Sequence, residues 1–365
     1  MKVPAKLTLN NSAPHSSGLV ICCADFADPA WRWLERPLSD TGIRFEFVRA
    51  VPRNIFERRV SFLNLARLRA SFEAVRLARE KKADAIVTHG PALAAWCAFF
   101  ARLFRLKVPI VAHSFNFTEL PNGVKLSALG WMLSNVDRFV VFSRLESSLY
   151  AKAFDLPEDR FDMIHWGVGP PDVSSPEAPL EQGDYVCAIG GNARDYGTLI
   201  EAARLTPHIR YVCVVRPDSL RGLDVPSNVT VHTNLPSGQT MNILVHSRFM
   251  VLPLLHSKVP CGHVTIVAAM HLGKALIVTD SEGVRDYVQD GHNAITISPR
   301  SATALAEATE QLWKSPVLCK SIGENGYRFA RRECTEGQVV QHFRGWLTEA
   351  GLCLPRGTLA ENSLS

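Results

Sequence analysis

Short, fully apolar runs alternate with longer amphipathic ones from Leu19 onward. The first are "GLVICCA", "RFEFVRA", "ADAIVTHG", "VPIVAHS" and "DRFVVFS". Between them the spacing predicts helices near 29–40, over a long basic stretch ending at 82, over 91–106, around 123–134 and over 145–154. Brief β-branched runs separated by helical periods imply a parallel sheet covered on both faces, because such strands bury both sides. Regular patterning stops in "GPPDVSSPEAPLEQGD", residues 169–184, a Pro, Ser and acid cluster that reads as a linker. It then resumes with "YVCAIGG", a helix over 197–205, "IRYVCVV", "VTVHTN", a helix over 238–246 and "RFMVLPLL". The stretch "VPCGHVTIVAAMHLGKALIVTDSEGVRDYV", residues 259–288, predicts a Gly-opened helix, a Gly stop, a short strand and an acidic Gly turn leading into another helix. The expected plan is α/β: a doubly wound domain over 1–170, a linker over 171–184, a second such domain over 185–340, and a C-terminal helix and tail over 341–365.

Composition supports two full cores and argues against disorder, with 365 residues, 47% of them hydrophobic and 21% charged. The nine cysteines are scattered without a C-x-x-C pair, so neither a disulfide framework nor a zinc site is expected, and a reducing cytoplasm fits. The apolar run from Leu19 to Ala24 is too short for a signal peptide or a membrane span. Charge is uneven: residues 1–170 carry 23 Lys/Arg against 16 Asp/Glu, and 171–365 carry 17 against 19. The excess concentrates in 53–82, with nine basic residues to three acidic. There Leu65, Leu68, Phe72 and Val75 fall at helical spacing, Arg69 and Arg76 flank that stripe, and Arg67 lies opposite. Such a helix either packs on the core with a solvated basic face or lies on an anionic membrane surface. Nucleic acid is not an expected partner, because no aromatic-interleaved basic stripe is present.

Ligands of doubly wound sheets bind beyond the carboxyl ends of the strands, so the residues after each strand carry the candidate chemistry. In "AIGGNARDYGT", Gly190 and Gly191 follow a strand and precede Arg194 and a helix, the outline of an anion site. Cys261 and Gly262 open the next candidate helix, with Lys258 and His263 beside them. Two helix starts with two or three cations would suit a diphosphate. In the first half, strands end at His89 and at His113, the latter beside Ser114 and Asn116. A histidine there could bond a sugar hydroxyl or shuttle a proton near neutral pH, or be an internally satisfied residue at a sheet end. His165 precedes the linker and suits a hinge.

Six segments in this order, "ADAIVTHGPALAAW", "VPIVAH", "NVDRFVVFSRLESSLYAKAFDLPEDRFDMIHWGV", "GGNARDYGTLIEAA", "AAMHLGKALIVTDSEGVRDYVQDGHNAI" and "IGENGYRFARRE", resemble the family-four glycosyltransferases of the GT-B fold over about 80–347. The resemblance implies two Rossmann-like doubly wound domains facing a cleft, the acceptor on the first and a nucleotide-sugar donor on the second. It also implies a C-terminal helix, "EGQVVQHFRGWL", that crosses back to the first domain. The expected reaction is transfer of a sugar from a UDP- or GDP-sugar co-substrate to an acceptor hydroxyl of a lipid-linked or cell-surface glycan, in polysaccharide synthesis at the cytoplasmic membrane face. Retention of configuration is favoured, with no metal and no further cofactor. By the same resemblance Arg194, Lys258 and the backbone at Gly190, Gly191, Gly262 and His263 would hold the diphosphate. Glu282, beside Asp280, would meet the donor sugar, His113 the sugar or acceptor, and Arg216, Asn234 and Leu235 the nucleotide. Two departures stand out: Pro260 and Ala268 occupy the positions of the family's paired glutamates, and Tyr196 stands where a lysine is common. They keep two alternatives open, a catalytically silent GT-B subunit that binds nucleotide, glycan or a partner enzyme, and, more distantly, a sugar-nucleotide epimerase.

Overall fold

The computed structural model describes residues 18–25, 34–53, 65–169, 178–255 and 260–353. The expected helix near 29–40 falls partly outside these residues; its described end holds only a single 3-10 turn, Ser39–Thr41. Residues 54–64 of the basic stretch, 170–177 of the linker and Lys258 also lie outside them.

Two compact units form: one from Met1–Val141, Ser147–Ile164 and Gly337–Ser365, the other from Phe142–Glu146 and His165–Glu336. In unit 1 the strands are β1 (Leu19–Ala24), β2 (Arg44–Arg49), β3 (Ala85–His89), β4 (Ile110–His113), β5 (Arg138–Val141) and β6 (Phe161–Met163). They make one parallel sheet in the order β2-β1-β3-β4-β5-β6. Its helices are α1 (Leu65–Glu80), α2 (Pro91–Leu103), α3 (Gly123–Leu133) and α4 (Arg144–Phe154), whose first residues group with unit 2. Alternate strand residues supply two cores. Ile21, Cys23, Ile86, Ala112 and Phe139 face one apolar layer, and Val20, Cys22, Val87, Val111 and Val140 the other. The second layer is closed by Phe343, Trp346 and Leu347 of the last helix, which follows the second unit in sequence.

Unit 2 contains β7 (Val186–Ile189), β8 (Tyr211–Val215), β9 (Val229–Thr233), β10 (Phe249–Leu252), β11 (Leu276–Thr279) and β12 (Ile295–Ile297), also parallel, in the order β12-β11-β10-β7-β8-β9. Helices α5 (Tyr196–Leu205), α6 (Ser237–His246), α7 (His263–His271), α8 (Ala302–Lys314) and α9 (Pro316–Glu333) cover it, before α10 (Glu336–Glu349) ends the described chain. The strand order reverses between β7 and β10, so a crevice is expected where the loops after those strands diverge.

The basic helix packs differently from its predicted stripe. The residues α1 buries are Ala66, Ala70, Ser71, Ala74, Val75 and Ala78, an alanine line at four-residue spacing, whereas Phe72 is 41% exposed. Small side chains let α1 approach its neighbour closely, as the Cys97 thiol contact to the Ser71 carbonyl at 3.9 Å reflects. The segment after the acidic turn is also corrected: a 3-10 turn, Glu282–Val284, leads to β12 with no α-helix between them.

Candidate functional site

The loops after β7, β10 and β11 are tied together at the switch point of unit 2. Asp195 N donates to the Pro253 carbonyl at 3.0 Å, Leu255 N to the Ala193 carbonyl at 3.0 Å, and Leu254 N to Thr279 Oγ1 at 2.9 Å. Within this junction Gly190 has φ +116° and Ala193 φ +49°, so the chain turns tightly enough to fold Arg194 back over the strand end. Its Nε donates to the Ile189 carbonyl at 3.2 Å, Nη1 to the Asn192 carbonyl at 2.7 Å and Nη2 to Thr265 Oγ1 at 3.1 Å. Thr265 lies in the first turn of α7, so this bond joins the two candidate anion loops named from the sequence.

The glycine pair makes room for the cations. A Cβ on Gly190 would lie 2.7 Å from Arg194 Nη2, and one on Gly191 would lie 2.4 Å from Arg216 Cγ. Arg216 follows β8 directly and is exposed. Burial depresses the Arg194 guanidinium below its usual range; Cys261 and Tyr196 act against this, and the like charge of Arg216 adds to it. Among the described residues neither guanidinium has a carboxylate partner. Two neighbouring cations with no counter-charge favour an anion between them.

Gly262, at φ +99°, caps α7, and its carbonyl accepts from Thr265 N at 3.0 Å and Ile266 N at 2.9 Å. The amides of His263 and Val264 precede any intrahelical acceptor and so remain available to a ligand. The His263 side chain does not join them. It is 7% exposed, stacks on Tyr287 at 4.7 Å and 18°, and donates from Nε2 to the Gly283 carbonyl at 2.8 Å. A carbonyl only accepts, which fixes the proton on Nε2. Burial lowers its pKa, opposed by the Gly283 bond and Asp286 and aided by His165. The His263 side chain is thus engaged within the fold, which leaves its backbone amide as the group that could meet an anion.

Pro260 is buried, and a Cβ on Gly283 would lie 2.5 Å from Pro260 Cβ, so this ring fills the space beside the 282–284 turn. Ala268 sits partly buried on the apolar side of α7. Glu282 is exposed at the start of the turn; Asp280 pairs with Arg285 through two contacts of 3.1 Å. Asn234 adopts φ +53° after β9, its amide donating to the Val215 carbonyl at 3.1 Å. That bond brings Asn234, and with it Leu235, beside the strand end that carries Arg216. Two contributors were not read from the sequence. Thr265 anchors Arg194, and the Tyr196 hydroxyl bonds the Gly190 carbonyl, holding the glycine loop where a lysine was expected.

In unit 1 the rings of His89 and His113 lie 6.0 Å apart at the ends of β3 and β4. His113 Nδ1 and Ser114 Oγ are 3.0 Å apart, and Ser114 holds φ +51°. Burial lowers the His113 pKa to about 3, with His89 and His342 adding to the effect. Burial likewise lowers His89 to about 4, against Asp25. Burial thus disfavours the protonated form of both rings, and His113 lies within hydrogen-bonding reach of Ser114, in keeping with the hydrogen-bonding alternative.

Two family models match the chain. One, a glycosyl transferase 4-like domain, spans residues 16–167; the other, glycosyl transferases group 1, spans 218–329. The putative glycosyltransferase EpsD of Bacillus subtilis (strain 168) is 24% identical over 284 residues, 69% of this chain and 72% of that protein. Among solved structures, sucrose-phosphate synthase of Thermosynechococcus elongatus aligns with a TM-score of 0.70 at 16% identity, over 91% of this chain and 99% of its own. Anabaena HepE, in complex with UDP, aligns at 0.68 and 15%, over 90% and 99%. A glycosyltransferase of Rickettsia africae ESF-5 aligns at 0.68 and 12%, over 91% and 98%. At such identities the structures speak for the fold, and the two models, one on each half, speak for the family. The chain belongs to the family-four glycosyltransferases of the GT-B fold, with two Rossmann-like α/β units.

Proposed function

We infer that the chain moves a sugar from a nucleoside diphosphate sugar to an acceptor hydroxyl, with unit 2 holding the donor. The observation that carries this is the Arg194 bond to Thr265, which sets a guanidinium against the first turn of α7 while Arg216 lies over Gly191. Donors from two side chains and from helix amides approach one locus from different directions, as a diphosphate requires. HepE of Anabaena, a structure of the same fold, has been solved with UDP and with UDP-glucose.

The chemistry asked of this site is electrostatic. As the bond from the anomeric carbon to the β-phosphate oxygen breaks, its electron pair leaves with the diphosphate. Arg194, Arg216 and the α7 amides stabilise the growing charge. The acceptor oxygen bonds the anomeric carbon, and in the retaining course its proton passes to the departing phosphate oxygen. Glu282 is assigned to the donor sugar and Asn234 and Leu235 to the nucleoside. The acceptor, assigned to unit 1 near His113, is a lipid-linked or cell-surface glycan, as in polysaccharide synthesis. No metal is required by this scheme, so transfer is expected to survive excess EDTA.

Incubation of the protein with UDP-, GDP-, ADP- and TDP-sugars, followed by assay of released nucleoside diphosphate, tests the reading. Release above background from one donor, lost in Arg194→Ala, supports it. Pro260 against Gly283 leaves no carboxylate at that place and favours the second reading, a silent subunit. Tight nucleotide binding without turnover across an acceptor panel would establish that second reading instead.

A further inference from the structure

Helix α2 is apolar on both of its faces. Leu93, Ala94, Cys97, Ala98 and Ala101 are buried in the core, while on the opposite side Trp96, Phe99 and Phe100 are half-buried, Phe100 against the core edge, and Leu103 is 60% exposed. A helix hydrophobic all round is normally enclosed. The neighbouring α3 is covered still less: it buries only Gly130 and Leu133, and leaves Val124 86% and Trp131 54% exposed. Ring contacts join the pieces, Phe99 to Trp131 at 6.2 Å and Phe72 of α1 to Phe100 at 5.4 Å. These contacts link exposed and half-buried apolar side chains of three helices.

The rim of this apolar face is cationic. The Arg102 guanidinium lies 4.6 Å from the Trp131 ring centre and donates to the Trp131 carbonyl at 3.1 Å and to Ser134 Oγ at 2.7 Å. Arg105 and Lys107, which follow α2, and Lys125, in the first turn of α3, are exposed, and Glu119 is the one acid between residues 100 and 134. By contrast, several cations on and just after the basic helix α1 have partners within the fold. Arg67 pairs with Asp25 at 2.6 Å, Arg76 with Glu80 at 2.6 Å and Lys81 with Glu46 at 2.8 Å, and Arg69 donates to the Val51 carbonyl at 2.8 Å.

The geometry points to the α2–α3 face, and not the arginines of α1, as the surface that lies on an anionic bilayer. Trp131 and Leu103 enter the interfacial layer and the rim cations meet lipid phosphates. A second copy of the chain is disfavoured as occupant, because its identical rim would set like charges together. The inference does not depend on which donor unit 2 takes.

Cosedimentation with phosphatidylglycerol-containing vesicles, against phosphatidylcholine alone, tests it. The protein is expected to pellet with the anionic vesicles. The double variant Leu103→Ser, Trp131→Ser should lower its partition roughly tenfold or more, since two large apolar groups no longer enter the layer. Lys107→Gln and Lys125→Gln should each cost about fivefold. Arg76→Gln should bind as the parent does. A melting scan of each variant separates lost binding from lost fold; should the Ser variant melt early, Leu103→Gln alone and Trp131→Gln alone repeat the measurement. Failure of the parent to prefer anionic vesicles, parental binding by the folded apolar variants, or loss only in Arg76→Gln would each overturn the inference. So would a dimer in sedimentation velocity that the Ser substitutions dissociate.

Discussion

Arg194 and Arg216 lean over two residues that have no side chains, and the site depends on that emptiness. Gly191 has an ordinary φ, so Gly191→Ala adds no backbone strain but must displace Arg216, whose Cγ lies 2.4 Å from the added methyl. We expect nucleoside diphosphate affinity to fall about tenfold, roughly one charge-assisted bond, with the melting temperature nearly unchanged. Arg194→Ala should cost about 10- to 100-fold in affinity, the range for bonds to a charged group of about 1.5–3 kcal/mol. Calorimetric titration of both variants checks these values. The glycines and Arg194 were legible in the sequence because they follow a strand directly. Arg216's approach to Gly191 was not, since it depends on which strands neighbour in the sheet. A histidine at a helix start reads equally as ligand or as core, and only the Gly283 carbonyl and the Tyr287 ring decide for His263. The buried histidines also make stability depend on pH. His113 near 3 and His89 near 4 bind protons less readily folded than unfolded, where the value is 6.5. Their contribution is complete above pH 6.5 and is lost as pH falls toward 4 and then 3, by about 1.4 kcal/mol per pH unit for each. Urea unfolding between pH 7 and 5 should show this slope, and His113→Gln should remove one proton's share of it.

At the scale of elements, α7 holds its place because α9 comes unusually close behind it. A Cβ on Gly323 would lie 2.1 Å from the Gly273 carbonyl oxygen, just past the end of α7. Alanine normally improves a helix interior by about 1 kcal/mol over glycine. Here Gly323→Ala should instead destabilise by about 1–3 kcal/mol, because backbone cannot yield as a flexible side chain can. A chemical denaturation midpoint lower than the parent's would confirm the sign. Strands were the most legible elements: unbroken apolar runs such as "YVCVV" bury both faces, and few other structures tolerate that. The face of α1 was misread because alanines at 66, 70, 74 and 78 carry less hydrophobic weight than Leu65, Leu68 and Phe72, yet close packing prefers them. The helix expected after Glu282 failed for a tertiary reason: the Tyr287 hydroxyl accepts from Trp166 N at 2.8 Å and donates to the Phe142 carbonyl at 2.8 Å, fixing an irregular segment.

For the whole molecule, two parallel sheets of differing strand order each place their loops at a switch point, and the second sets two guanidiniums without carboxylate partners among the described residues beside a helix start. That asymmetry is why the donor is assigned to unit 2. Fold and family were legible because ordered segments spread over most of the chain, while donor base, sugar and acceptor depend on pocket shape that single residues do not spell out. The central claim is that this junction grips a pyrophosphate. Its most direct test is a thermal-shift comparison of UDP, GDP, ADP and TDP with their monophosphates, on the parent and on Arg194→Ala with Arg216→Ala. A ligand raises the apparent melting point in proportion to its occupancy of the folded state. The account predicts that one diphosphate stabilises the parent well beyond its own monophosphate and that the double variant erases the difference. Equal stabilisation by di- and monophosphate, or a diphosphate advantage that persists without the two arginines, would contradict it.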